Sequence, residues 1–111
     1  PFSKAVRVDD VIYLSGELGI DPATNELASG GVGPETSMIF ANIERTLAEF
    51  DADLSDVVKC SVFLDDMAAY GAMNAAYDAA LPDPKPARST FGVNGLALGA
   101  EVEIECLAVT P

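Results

Sequence analysis

The apolar residues between Phe40 and Leu81 change their spacing twice, and that change restricts the fold more than any other feature of the chain. Phe40, Ile43, Leu47 and Phe50 recur at intervals of three and four, the spacing of one helix face. From Val57 to Leu64 the interval becomes two, with Val58, Cys60, Val62 and Leu64 expected on one face of a strand. Met67, Tyr70, Met73, Tyr77 and Leu81 then return to helical spacing. The boundaries agree with the periods. Pro34 and Glu35 suit a first helical turn, Asp51 to Asp53 ends that helix, Asp65 or Asp66 can cap the second, and Pro82, Pro84 and Pro86 stop it. A stripe of this kind is ordinarily core rather than a ligand site.

Strands flank this helix, strand, helix unit. Lys4 to Asp9 and Val11 to Leu18 are β-rich runs joined by a tight Asp9-Asp10 turn. Ile20 to Gly33 is rich in turn formers and reads as an exposed loop. Ala87 to Val93 and Ala100 to Val109 read as the last two strands, with Asn94-Gly95 and Gly99 between them. The order ββαβαββ predicts an α+β fold: a single domain over residues 1–111, with two helices on one face of a mixed sheet. The other face would be part apolar (Val57, Phe63, Leu107, Val109) and part acidic (Glu101, Glu103, Glu105). Such a surface is uncommon on a monomer, so a homo-oligomer is expected to cover it.

Composition removes several function classes. Six Lys and Arg stand against eighteen Asp and Glu, and the net charge of −12 repels nucleic-acid backbones and anionic membranes. Histidine is absent, which excludes Ser-His-Asp triads, Cys-His dyads and His-based zinc sites. No apolar run is long enough to span a bilayer. Cys60 and Cys106, 46 residues apart and each in an alternating apolar run, are expected to be buried free thiols in a reducing compartment.

Few residues remain to carry chemistry. Lys4, Arg7, Arg45, Lys59 and Lys85 sit as ordinary solvated charges do. Arg88, in Pro86-Ala87-Arg88-Ser89-Thr90, lies among small residues at the start of a strand, a setting that suits bidentate capture of a carboxylate or phosphate and equally a structural salt bridge. Glu101, Glu103 and Glu105 share one strand face, either as a solvated edge or with one of them serving as a base. Ser15-Gly16 interrupts an apolar strand, which marks a bulge or the close approach of a ligand. Asn74 on the second helix is by default a solvent-facing amide.

Pro86-Ala87-Arg88-Ser89-Thr90-Phe91 together with Val102-Glu103-Ile104-Glu105 resembles the signature of the RidA family. Pro1 to Val6, Tyr13 to Gly16, Asp56 to Leu64 and Met73 to Tyr77 extend the similarity along nearly the whole chain. The resemblance implies a chorismate-mutase-like fold, a cytoplasmic homotrimer with clefts between subunits, and hydrolysis of reactive enamines and imines to 2-keto acids and ammonia without metal or cofactor. It implies that Arg88 grips the substrate carboxylate and Glu103 holds or activates the water. It implies further that the Thr90 backbone contacts the reacting group, while Ser15, Gly16, Asn74 and Phe2 shape the cleft. Phe2 stands where the family often has tyrosine, Glu17 where glutamine is common, and Asn94 where the residue is usually smaller. The alternatives are a related hydrolase acting on another aminoacrylate derivative, and a non-catalytic carboxylate-binding or regulatory module.

Overall fold

The computed structural model describes all 111 residues. Strands β1 (Ala5–Val8) and β2 (Val11–Leu14) form the first hairpin, turning at Asp9 with a positive φ of 52°. The run expected to continue to Leu18 breaks at Ser15-Gly16, after which β3 (Glu17–Leu18) resumes against the last strand. The expected loop holds a small hairpin of its own, β4 (Ile20–Asp21) with β5 (Glu26–Leu27). Helix α1 (Val32–Ala48), strand β6 (Val57–Leu64), helix α2 (Tyr70–Ala80), strand β7 (Ala87–Gly92) and strand β8 (Val102–Val109) complete the chain. The main sheet runs β1-β2-β8-β6-β7, with β3 also on β8, and only β6 and β7 are parallel. This is the mixed sheet with two helices that the order of elements predicts.

The core lies between helices and sheet. Ile39, Phe40, Ile43 and Leu47 of α1 and Met73 and Tyr77 of α2 are buried against Ile12, Cys60, Val62, Leu64, Val102, Ile104 and Ala108. Phe40 and Tyr77 meet edge to face at 5.4 Å between ring centroids, fixing α1 against α2. Asp66 accepts a hydrogen bond from the Ala68 backbone and starts the short turn that leads into α2. At the other end Lys85 reaches the carbonyls of Asp78 and Leu81 and pairs with the Asp78 carboxylate at 3.2 Å, a cation placed where the helix dipole favours one. The chain is thereby tied down three residues before Arg88.

Two expectations need correction. Val57, not Val58, is buried, because β6 carries a bulge between Val57 and Lys59 that swaps the facing of the two valines; Val58 is exposed. Cys60 and Cys106 are buried as expected but are not free. They stand directly opposite each other across β6 and β8 and form a disulfide. Sequence separation says nothing about register, and register is what brings the sulfurs together.

No helix covers the other face of the sheet. Paired residues share a face, so Val6, Tyr13, Leu107, Phe63, Phe91, Glu103 and Glu105 all project there. Phe63 and Phe91 stack at 5.8 Å, and Tyr13 and Phe91 are about half exposed. This is the mixed apolar and acidic surface expected from the alternation.

Candidate functional site

Arg88 pairs in register with Cys60, which places its side chain on the helix side of the sheet. There its guanidinium carbon lies 4.8 Å from the centroid of the Tyr77 ring and 5.6 Å from that of Tyr70, and Nη2 donates to the Tyr70 hydroxyl at 2.9 Å. It makes no salt bridge: the three in the chain join Lys4 to Glu17 and Lys85 to Asp78 and Asp83. The salt-bridge alternative for Arg88 is thus not what the structure contains. The arginine lines a cleft of about 390 Å³ with Asn74, Tyr77, Asp78, Lys85 and Pro86.

Polar atoms on this side of the sheet are unpaired. Asn74 Oδ1, Tyr77 OH and Thr90 Oγ1 are buried without a hydrogen-bond partner. Buried polar groups are normally satisfied; the Tyr77 and Thr90 hydroxyls can donate to an anion held by Arg88, whereas Asn74 Oδ1 accepts and calls for a donor such as a ligand nitrogen. Asn74 therefore does not take the solvent-facing position expected by default. Tyr70 and Tyr77 were not among the sequence candidates, because their spacing assigns them to the apolar stripe. The available signal is their hydroxyls: two tyrosines seven residues apart lie on one helix face. Burial also raises the Tyr77 hydroxyl above its ordinary pKa of 10.0, against the lowering effect of Arg88.

Glu103 lies elsewhere. It pairs with Phe63 and Leu18 and so projects from the open face of the sheet, opposite to Arg88. A side chain at Gly16 would collide with the Glu103 carboxylate and displace it from its present position. Ser15 donates from Oγ to the Ser3 carbonyl at 2.6 Å, fastening the N-terminal segment beside that glycine. Burial, with Glu105 and then Glu17 adding to it, raises the Glu103 carboxyl above its ordinary value of 4.5. Glu105 and Glu101 are exposed. Glu17, whose charge would oppose an anion, is paired with Lys4 at 3.3 Å. Phe2, Ser15 and Gly16 also border a second hollow of about 500 Å³ that extends to Asn42 and Arg45 on α1.

The sequence candidates therefore fall into two separate groups: Arg88, Thr90 and Asn74 on the helix side, and Glu103, Gly16, Ser15 and Phe2 around the open face and its edge. A sequence profile described as endoribonuclease L-PSP matches residues 1–110. The chain belongs to the endoribonuclease L-PSP family. Within this family, the chain is 39% identical over 109 residues to the mouse protein named 2-iminobutanoate/2-iminopropanoate deaminase, covering 98% of this chain and 81% of that one. It is also 39% identical over 108 residues to the Arabidopsis thaliana protein named Reactive Intermediate Deaminase A, chloroplastic, spanning 97% of this chain and 58% of that relative's length. Among solved structures, RidA from an Antarctic Psychrobacter superposes with a TM-score of 0.94 at 37% identity, covering 98% of this chain and 88% of that one. The resemblance to RidA read from the two C-terminal motifs is borne out, and so is the fold that it implies. No helix of this family member is long and apolar enough to cross a membrane.

Proposed function

We propose that this protein hydrolyses small, carboxylate-bearing enamines and imines of the 2-aminoacrylate/2-iminopropanoate type to 2-keto acids and ammonia, as a homotrimer. The observation that carries this reading is Arg88: a guanidinium without an acidic partner in a chain of eighteen acids, on the same side of the sheet as the unpaired hydroxyls of Tyr77 and Thr90. The substrate carboxylate pairs with Arg88, and the Thr90 backbone and Asn74 hold the reacting end. Glu103 takes a proton from water as its oxygen bonds to the imine carbon. Glu103 returns that proton to the nitrogen to give the neutral carbinolamine, then takes the carbinolamine hydroxyl proton and passes it to the nitrogen as the C–N bond breaks, so that ammonia leaves and the carbon becomes the keto carbonyl. A carboxyl with a raised pKa is better matched to this proton transfer than an ordinary glutamate. Because Arg88 and Glu103 lie on opposite sides of the sheet, the reading requires that one subunit supply the arginine and its neighbour the glutamate.

Names of relatives support this reading, two of them as deaminases of this kind. The ribonuclease activity in the family's description finds little support here, since the net charge of −12 repels RNA and no histidine is present to act on it. The test is to generate 2-aminoacrylate in situ and follow keto-acid release with and without the protein, while light scattering determines the mass. Accelerated release by a particle of three chains is expected. Keto-acid binding without acceleration would favour the binding-module alternative, and a stable monomer would remove the shared cleft.

A further inference from the structure

The geometry points to Tyr70 as a positioning residue that holds the Arg88 guanidinium in place through its hydroxyl without neutralising its charge. The inference rests on the reading of Arg88 as the carboxylate anchor. Asp78 is the one carboxylate among the residues that line the cleft with Arg88. Two contacts keep Arg88 from it. Lys85 occupies the Asp78 carboxylate at 3.2 Å, and the Tyr70 hydroxyl accepts from Arg88 Nη2 at 2.9 Å. Tyr77 lies 4.8 Å from the guanidinium carbon and supports its flat face, but its hydroxyl has no partner and leaves the edge free to turn. Tyr70 alone fixes that edge.

The choice of a phenol has a chemical consequence. A carboxylate in its place would bind the guanidinium more strongly but would cancel the charge that an anionic ligand needs. A neutral acceptor leaves the charge intact, and the remaining guanidinium donors have no protein acceptor. An arginine already oriented also loses less conformational freedom when the ligand arrives. Tyr70 thus acts on binding, through Arg88, and not on the proton transfer assigned to Glu103.

Tyr70→Phe keeps the ring and removes only the hydroxyl. Nitrogen-15 NMR of the ligand-free protein reads guanidinium rotation about the Nε–Cζ bond, and with only three arginines in the chain the signals are readily assigned. Rotation at Arg88 should be about 3- to 10-fold faster in the variant, with Arg7 and Arg45 unchanged, as loss of one exposed hydrogen bond of ordinary net strength implies. In the imine assay KM should rise about 3- to 10-fold with kcat within about 2-fold, the pattern of lost binding rather than lost chemistry. An unchanged rotation rate, a fall in kcat at constant KM, or tighter binding in the variant would each overturn the inference. Should the wild-type protein neither bind keto acids nor hydrolyse the imine, the proposed function fails, and the rotation rate in the free protein still decides the role of Tyr70.

Discussion

Glu103→Gln should lower imine turnover by about 10²- to 10⁴-fold, the usual contribution of a positioned general base. The amide keeps the size and much of the hydrogen bonding of the carboxylate beside Gly16 but cannot take the proton from water. Keto-acid binding, measured by calorimetry, should survive because Arg88 is untouched. Glu101→Gln and Glu105→Gln are internal controls, both exposed and expected to change turnover little. The pH profile adds a second test with a definite sign. A base must be ionised to act, and the Glu103 carboxyl is raised above 4.5, so the acid limb of kcat/KM should lie above the ordinary glutamate value. That limb should vanish in Glu103→Gln. Equal activity in all three variants would remove Glu103 from the mechanism.

Arg88→Ala should weaken 2-oxobutyrate or pyruvate binding by about 30-fold to several thousand-fold, corresponding to roughly 2–5 kcal/mol for removing one member of a hydrogen-bonded charge pair. Turnover should fall with it. The fold should persist, since Arg88 takes part in no salt bridge and its one protein hydrogen bond goes to a hydroxyl at the surface. Unchanged keto-acid affinity would make Arg88 a structural residue that only packs on Tyr70 and Tyr77.

Much of this arrangement could be read from the chain, for identifiable physical reasons. The two helices and the alternation in Val102–Val109 follow from apolar periods that only one conformation satisfies, and the open sheet face follows from having only two helices to cover two faces. The exchange of Val57 and Val58 could not be read, because a bulge depends on how β8 pairs with β6 and leaves no local mark. The Cys60–Cys106 bond was hidden for the same reason: register is a property of two strands. Arg88 stood out by its small neighbours, but its tyrosines did not, since a helical tyrosine at an apolar position looks like core until the strand beside it is known to bring a guanidinium. The orphaned Asn74, Tyr77 and Thr90 oxygens emerge only from three-dimensional packing.

With Arg88 and Glu103 on opposite sides of one sheet, the proposed shared cleft predicts that a chain damaged at one of them is repaired by a chain damaged at the other. Arg88→Ala chains retain a sound Glu103, and Glu103→Gln chains retain a sound Arg88. Each protein alone is expected to be inert. If the two are unfolded together in equal amounts and allowed to reassemble at random, an arginine from one parent meets a glutamate from the other in about a quarter of the clefts of a cyclic assembly. Two dead proteins would then yield a live mixture, while a double mutant added to either parent would not. Activity in such a mixture would make catalysis a property of the pairing between chains rather than of any single one.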